Sequence, residues 1–355
     1  MKILIWARTF HPNVGGTEQV TWLLAREWVA LGHEVRVVTR AAAAGPEDLG
    51  FPVLRRPGYR EILRQVRWCD VYYQAGLNLR GLWPLLPHRR PWFVTHHMPI
   101  TEPGQRPDFR ARVARVAARR ARGIAVSRAV AAVTPGCVAV IPNPVADVFR
   151  APPGVPRDRE LVFVGRLIAQ KGGHVLLDAL DRLRRAGRRP ALTIVGAGPE
   201  EDALREQAAR LGVAEQVAFA GVRRGADLAA LLARHQVVVV PSIGSEGFGL
   251  VALEGIACGC VAVGSAVGGL PEAIGPCGLA VPDGDPAALA AALETLLADP
   301  DRRAALRARA PEHVAAHQPR RVAESYLQLM QPAARRRAPS PLDSPLPRAT
   351  GTEAA

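Results

Sequence analysis

The sequence predicts an α/β protein built from two domains, each a parallel β-sheet covered by helices. Its 355 residues suit about two domains, and 48% of them are apolar, so each half can bury a core. Short apolar runs alternate with stretches whose apolar residues recur at helical spacing, which is typical of parallel sheets wrapped by helices. A stretch rich in proline and glycine, Pro142–Arg159, separates the two halves.

Each half contributes apolar runs that predict six strands. Those of the first half are Ile3–Trp6, Glu34–Thr39, Asp70–Tyr73, Trp92–Thr95, Gly123–Val126 and Ala139–Ile141. Those of the second half are Leu161–Val164, Ala191–Val195, Val217–Ala220, Val237–Val240, Val261–Gly264 and Leu279–Val281. We therefore predict a first domain over residues 1–150 and a second over 151–315. A last helix over 316–331, with its amphipathic part at Val322–Leu329, can cross back to the first domain. Residues 332–355, rich in Pro, Ala, Ser and Arg, are expected to be disordered.

The net charge is +14, from 46 basic and 32 acidic residues, and only Lys2 and Lys171 among the basic residues are lysines. Such an excess attracts phosphorylated ligands, nucleic acid or acidic membranes, and does not discriminate among them. No apolar run approaches the roughly 18 residues that a membrane span needs. Met1-Lys2 leads directly into an apolar strand without a cleavable leader, so we expect a cytoplasmic protein.

Five cysteines occur at positions 69, 137, 258, 260 and 277, with no zinc-binding spacing. We expect reduced, packed thiols. Asp283-Gly284-Asp285 has the form of a metal-binding Asp-x-Asp pair, but Asp285 precedes Pro286, which favours a helix N-cap with proline at the first helical position. The sequence thus predicts no metal and no cofactor.

Two glycine-containing loops follow predicted strands. Gly15-Gly16 opens the first helix, where backbone N–H groups can attract a phosphate, although a plain turn explains the pair equally well. Arg166 and Lys171 follow strand Leu161–Val164 and precede another helix. Cations at the carboxyl end of a strand beside a helix N-terminus favour a phosphorylated ligand.

The most informative stretch is Pro241–Gly259, PSIGSEGFGLVALEGIACG. A buried strand runs into a glycine-rich loop that carries Glu246, and a helix follows that carries Glu254. A carboxylate in an apolar helix is costly to bury without partners, and it can accept hydrogen bonds from two neighbouring hydroxyls. Helix capping or solvent exposure is the alternative explanation for either glutamate.

Pro241–Gly259 resembles the E-x7-E signature of the family 4 retaining glycosyltransferases, which have the GT-B fold. Similar segments cover nearly the whole chain: Gly15–Glu18, Gly32–Val35, Ile141–Val145, Val164–Arg166 with Lys171-Gly172, Ile194–Pro199, Val267–Glu272 and Gly278–Asp285. His317-Gln318-Pro319 departs from the aromatic pair that usually precedes the final helix in this family.

The resemblance implies a role for each matching residue. Arg166 and Lys171 would neutralise the diphosphate of a nucleotide-sugar, Glu254 would hold the ribose, and Glu246 would lie at the transferred sugar. The backbone of Gly247-Phe248-Gly249-Leu250 would contact sugar and phosphate, and Gly15 and Gly16 would lie across the cleft. A histidine after the fourth strand would lie beside the reacting sugar, and either His97, which we prefer, or His96 can fill this place.

The stretch Arg106–Arg122 holds seven arginines and one aspartate. On a helix with Phe109, Val113 and Val116 facing inward, these arginines form a basic outer face. Such a face is a solvated surface or a site of peripheral contact with an anionic membrane. It lacks the interleaved exposed aromatics of an RNA-binding face, so no nucleic-acid partner is expected.

Together these features predict a metal-independent retaining glycosyltransferase with two Rossmann-like domains facing across a cleft. Its donor would be a nucleotide-diphosphate-sugar, and its acceptor a glycan, a lipid-linked molecule or a small molecule. One alternative is a nucleotide-sugar epimerase or hydrolase on the same fold. The other is a non-catalytic basic binding module, which does not explain two carboxylates beside a glycine-rich phosphate loop.

Overall fold

The structure is a computed structural model that describes residues 1–13, 15–43, 48–101 and 106–335. Within these residues, thirteen strands form two sheets of seven and six strands, and every strand pair is parallel. The predicted pair of parallel-sheet domains is therefore confirmed. None of the helices in these ranges has the length and apolar content that would let it cross a membrane.

The first sheet has the strand order β3-β2-β1-β4-β5-β6-β7. Its strands are β1 Lys2–Ala7, β2 Glu34–Thr39, β3 Val53–Arg55, β4 Val71–Gln74, β5 Trp92–His96, β6 Arg122–Ala125 and β7 Cys137–Val140. Sequence analysis missed β3, which has only three residues, too few to show an alternating or continuous apolar pattern. It pairs with β2 at the edge of the sheet.

The second sheet has the order β10-β9-β8-β11-β12-β13. Its strands are β8 Arg159–Val164, β9 Leu192–Val195, β10 Val217–Gly221, β11 His235–Val240, β12 Val261–Ser265 and β13 Gly278–Val281. Both orders reverse direction beside the first strand of the sheet, and ligands of open α/β sheets bind at such a point, beyond the carboxyl ends of the strands.

Helices cover both sheets. They are α1 Gly16–Ala30, α2 Tyr59–Trp68, α3 Phe109–Ala118, α4 Arg128–Val133, α5 Gly173–Arg185, α6 Glu201–Arg210, α7 Gly225–Ala233, α8 Leu250–Ala257, α9 Leu270–Ile274, α10 Pro286–Ala298, α11 Pro300–Arg307, α12 Ala310–Ala315 and α13 Pro319–Arg335. The interior strands are buried on both faces, as the apolar runs predict.

Helix α13 packs against α1 of the first domain. The Thr95 Oγ1 atom lies 2.8 Å from the Tyr73 hydroxyl and 3.0 Å from the Tyr326 hydroxyl, and Trp28 Nε1 donates to the Ala323 carbonyl at 3.2 Å. All of these side chains are buried, so their polar atoms need the partners that they find in one another. Helix α13 is thereby fixed against the first domain.

The segment before α13 is joined to the stretch between the domains. His317 Nδ1 lies 3.0 Å from the Asn143 carbonyl, and Val145 N donates to the His317 carbonyl at 2.9 Å. Residue 317, where the sequence departs from the family pattern that it otherwise resembles, therefore takes part in the crossing between domains.

Two sequence expectations about helices are wrong. Residues 332–335, assigned to a disordered tail, continue α13, because Ala333 buries its side chain in the core of the first domain and Pro332 does not end the helix. The rest of the expected tail, residues 336–355, lies outside the described residues. On α3, Phe109, Val113 and Val116 do not face inward: they are 79%, 40% and 52% exposed, whereas Ala118 is fully buried. The apolar spacing fits two faces of this helix, and it is the alanine side that packs.

The five cysteines, all within the described residues, are thiols rather than disulfides, and all but Cys137 are buried. Burial raises the pKa values of Cys258 and Cys260 to about 12 and that of Cys277 to about 11. These thiols are therefore packing groups, as the sequence analysis expected.

Candidate functional site

A cavity of about 540 Å³ lies between the two domains. Residues beyond the carboxyl ends of strands line it from both sides: Gly15 and Gly16 after β1, His97 after β5, Arg166 after β8 and the Glu246–Leu250 loop after β11. Lys171 completes the lining among the predicted residues. Every candidate catalytic or donor-binding residue lines this cavity except Glu254, which lies in α8, and His96, the alternative to His97.

Arg166 and Lys171 are positioned by a short connection between β8 and α5. Lys171 ends a turn of 3₁₀ helix over Ala169–Lys171, and Gly172 follows with a φ of +70°. A Cβ atom on Gly172 would lie 1.8 Å from the Pro241 carbonyl oxygen, so only glycine fits there. This close approach holds the Lys171 turn against the end of β11.

Lys171 and Glu246 form an ion pair in this cavity. The Lys171 Nζ atom lies 2.6 Å from Glu246 Oε2, and the Ser242 hydroxyl donates to the same oxygen at 3.2 Å. The two side chains are 30% and 16% exposed, so both keep access to a ligand. Sequence analysis assigned Lys171 to the diphosphate and Glu246 to the sugar, and it did not predict the ion pair between them.

The glycine-rich loop is fixed by close contacts with its backbone. A Cβ atom on Gly247 would lie 1.7 Å from the His97 carbonyl oxygen of the first domain, and one on Gly268 would lie 1.9 Å from the Glu246 carbonyl oxygen. Gly269 N also donates to the Glu246 carbonyl at 2.8 Å. The Phe248 side chain is buried beneath the loop, so only its backbone is available to a ligand.

Glu254 is only 6% exposed. Within the described residues, the Glu254 carboxyl accepts a hydrogen bond at 3.4 Å from the side-chain amide of Gln19 on α1. Burial raises the pKa of the Glu254 carboxyl to about 8, and the bond from Gln19 opposes this shift only in part. Gln19 was missed by the sequence analysis, although it lies one helical turn beyond the Gly15-Gly16 pair.

His96 ends β5 and His97 follows it. Burial lowers the pKa of each imidazole to about 4, and for His97 the neighbouring His96 adds to the shift. Both rings are therefore neutral near pH 7. The Nε2 atoms of both rings are buried without a hydrogen-bond partner among the described residues.

A second cavity, of about 750 Å³, lies entirely in the first domain. Thr17, Glu18, His97 and Met98 line both cavities, so the two adjoin, whereas His96 lines only the second. Sequence analysis did not predict this cavity. The sequence feature that could have indicated it is the pair Arg8 and Arg40, which directly follow β1 and β2.

Two further contacts join the domains beside the loop. The Ser127 hydroxyl donates to the Gly247 carbonyl at 2.9 Å. The Glu272 carboxylate of α9 accepts hydrogen bonds from the backbone of Arg128 at 2.8 Å and of Ala129 at 3.3 Å, at the N-terminus of α4. A carboxylate is favourable at a helix N-terminus because unpaired N–H groups point at it.

The Asp283-Gly284-Asp285 stretch has structural roles. Asp285 accepts from Ala287 N and Ala288 N and caps α10, as predicted, and Asp283 accepts from Gly244 N at 3.1 Å. The described ranges hold no group of three or more His, Cys, Asp or Glu side chains that could bind a metal ion.

Comparison with known proteins places this geometry in context. The family described as "Glycosyl transferases group 1" matches residues 158–299. The GDP-mannose-dependent alpha-(1-6)-phosphatidylinositol monomannoside mannosyltransferase of Mycolicibacterium smegmatis is 32% identical over 304 residues, covering 77% of this chain and 70% of that protein.

Other relatives match over a smaller part. Glycogen synthase of Mycobacterium tuberculosis is 44% identical, covering 40% of this chain and 34% of its own. The D-inositol 3-phosphate glycosyltransferase of Stackebrandtia nassauensis is 40% identical over 205 residues, which cover 54% of this chain and 46% of that protein. The chain thus spans less than half of either protein. Among solved structures, HepE of Anabaena in complex with UDP has a TM-score of 0.79 at 23% identity and covers 94% of this chain and 100% of its own, a likeness that shows the GT-B fold.

The buried Glu254 carboxyl predicts a pH-dependent stability. An unfolded glutamate titrates near pH 4.3, whereas the folded pKa is about 8. The stabilising contribution of the protonated carboxyl is complete below the unfolded value and is lost as the pH rises through the folded one. We expect Glu254→Gln to unfold at higher urea concentration than the unaltered protein at about pH 8, with the difference disappearing near pH 4.

Circular dichroism across this pH range measures the effect, and Glu206→Gln, at an exposed position on α6, is the matched control. If Glu254→Gln and the unaltered protein lose stability in parallel from pH 5 to pH 8, the raised pKa is wrong.

Proposed function

The chain belongs to the glycosyl transferases group 1 family, and from this premise we propose that it transfers a sugar from a nucleotide-diphosphate-sugar to an acceptor hydroxyl. The observation that carries the proposal is the meeting of Arg166, Lys171 and the Gly247–Leu250 loop in one cavity that adjoins a second at His97. A transferase needs two substrates in contact, and two adjoining cavities provide for both.

The donor occupies the cavity between the domains. Its diphosphate lies against Arg166, Lys171 and the backbone N–H groups of the glycine-rich loop, with Gly15 and Gly16 opposite. Its ribose hydroxyls bind Glu254 and its sugar binds Glu246. Similarity to a GDP-mannose-dependent mannosyltransferase and to a protein solved with UDP supports a nucleotide donor.

The reaction retains the anomeric configuration by front-face displacement through an oxocarbenium-like transition state. The bond from the anomeric carbon to the diphosphate oxygen breaks while the acceptor oxygen forms the new bond on the same face. The leaving diphosphate takes the acceptor proton, and fixed cations stabilise its developing charge. His97, neutral near pH 7, is a hydrogen-bonding partner of the sugar rather than a source of charge.

The acceptor, a glycan, a lipid-linked molecule or a small molecule, occupies the cavity of the first domain. A panel of nucleotide-sugars, scored by the rise in melting temperature, identifies the donor. Product analysis with and without acceptor then separates transfer from the hydrolase or epimerase alternative. Sugar release or epimerisation that proceeds equally without any acceptor would refute the transferase assignment. Nucleic acid is not a substrate in this proposal.

We predict that transfer needs no divalent metal, because Arg166 and Lys171 supply the positive charge that the leaving diphosphate requires. Activity should persist in excess EDTA, whereas Arg166→Gln or Lys171→Gln should slow transfer by roughly a hundredfold or more. Activity lost in EDTA and restored by magnesium or manganese would overturn this prediction and direct attention to Asp283 and Asp285.

A second prediction follows from the ion pair between Lys171 and Glu246, which lie 2.6 Å apart. Glu246→Gln removes a negative charge from the diphosphate site and frees Lys171 for the ligand. We expect the variant to bind the nucleoside diphosphate about three- to tenfold more tightly and yet to lose transfer. Calorimetric titration tests this, with Glu206→Gln as the charge-matched control. Weaker nucleotide binding by Glu246→Gln would show that the carboxylate does not compete with the diphosphate.

We also propose a cytoplasmic enzyme that contacts an anionic membrane through α3. Phe109, Val113 and Val116 lie on one exposed face of this helix, with the exposed Arg110 and Arg112 beside them. Apolar side chains insert into the headgroup region, and each arginine near an anionic surface contributes about 1 kcal/mol.

Sedimentation with vesicles tests the contact. The protein should bind vesicles containing phosphatidylglycerol and not those of phosphatidylcholine alone. Phe109→Ser with Val113→Ser and Val116→Ser should abolish binding, whereas Val222→Ser, at an exposed apolar position in the second domain, should not. Equal sedimentation of the triple variant and the unaltered protein would refute the proposal.

A further inference from the structure

The cavity of the first domain lies at the point where its sheet reverses strand order. Residues beyond the carboxyl ends of β1, β2, β4 and β5 line it, and the order β3-β2-β1-β4-β5 places the reversal between β1 and β4. Open α/β sheets bind ligands at this point. The position therefore makes the cavity a candidate binding site, independently of any relative.

Four arginines line this cavity: Arg8, Arg40, Arg80 and Arg110. Ala7 of β1 pairs with Thr39 of β2, so Arg8 and Arg40 are the next residues on two adjacent strands. Strands in a sheet are about 4.8 Å apart, close enough for two guanidinium groups to share one anion. Arg80 reaches the cavity from the turn after β4, and Arg110 from α3.

Among the side chains that the structure describes, acidic groups do not neutralise this cluster. The lining contains two carboxylates, Glu18 and Asp108. Asp108 caps α3 by accepting from Ala111 N at 2.6 Å, and the Glu18 carboxylate lies over the backbone of Gly15. Within the described residues, none of the four guanidinium groups forms an ion pair.

We propose that the acceptor carries an anionic group, a phosphate ester or a carboxylate, and that Arg8 and Arg40 bind it. This inference rests on the proposed function, because it takes the cavity of the first domain as the acceptor site. A concave surface of one charge sign concentrates ligands of the opposite sign, and guanidinium groups bind phosphate and carboxylate oxygens through paired hydrogen bonds. With its anion held there, the acceptor extends toward His97, where the two cavities adjoin.

The anion can belong to a soluble phosphorylated polyol or to a lipid headgroup, and two arms of one experiment distinguish these sources. The full chain is saturated with its nucleoside diphosphate, which occupies the other phosphate site. It is then titrated with inositol monophosphate, glucose 6-phosphate, their unphosphorylated parents and inorganic phosphate. In the second arm, the variant Phe109→Ser with Val113→Ser and Val116→Ser, which lacks the proposed contact of α3 with membranes, is titrated with vesicles of phosphatidylinositol with phosphatidylcholine and with vesicles of phosphatidylcholine alone.

We expect a phosphorylated probe in at least one arm to bind about tenfold or more tightly than its parent. Arg8→Gln with Arg40→Gln should remove that preference and leave nucleoside diphosphate affinity unchanged. The matched control, Arg189→Gln with Arg210→Gln, removes the same charge from exposed positions of the second domain and should keep the preference.

Three results would overturn the inference: equal binding of phosphorylated and parent compounds in both arms, a preference that survives in Arg8→Gln with Arg40→Gln, or inorganic phosphate that binds as tightly as the esters. Failure of the proposed function is a different result, namely no affinity for any nucleoside diphosphate. The double variant then still decides whether the cavity of the first domain binds anions.

Discussion

The two domains meet at a point where no side chain fits, and the site depends on this contact. The backbone of Gly247 lies so close to the His97 carbonyl that a Cβ atom would come within 1.7 Å of that oxygen. The loop that carries Glu246 is thereby set directly against the end of β5. Because His97 lines both cavities, the same approach brings them together. A larger residue at 247 would move the loop that carries Glu246 away from His97.

In the described residues, two charges at or near the cavity between the domains are compensated internally. Lys171 is paired with Glu246, while burial keeps the Glu254 carboxyl largely protonated at neutral pH. A bound donor would replace these interactions. Its diphosphate would pair with Lys171 in place of Glu246, and its ribose would form a hydrogen bond with Glu254 in place of Gln19. The free energy of donor binding would therefore be the difference between the interactions that the donor forms and those that it replaces. This difference favours ligands that supply both a diphosphate and a ribose.

Local patterns predicted most of the fold and most of the candidate residues that line the cavity between the domains, because glycine loops after strands and their flanking cations lie within short segments of sequence. The three-residue β3 has no such pattern. The inward face of α3 was predicted wrongly because two faces of this helix carry apolar side chains. Gln19 and Glu272 were missed because each acts on a residue more than 140 positions away, a relation that spacing along the chain does not encode.

The Glu272 carboxylate accepts hydrogen bonds from the backbone N–H groups of Arg128 and Ala129 at the N-terminus of α4. This contact places few constraints on the evolution of the first domain. Any residue except proline offers the same N–H, so the identities of positions 128 and 129 are free to drift while the contact persists. The only side chain that this contact requires is therefore that of Glu272 in the second domain. Recombination that joins this second domain to a different first domain would keep this contact wherever a helix begins at that place, so this contact by itself does not restrict which first domain can be joined.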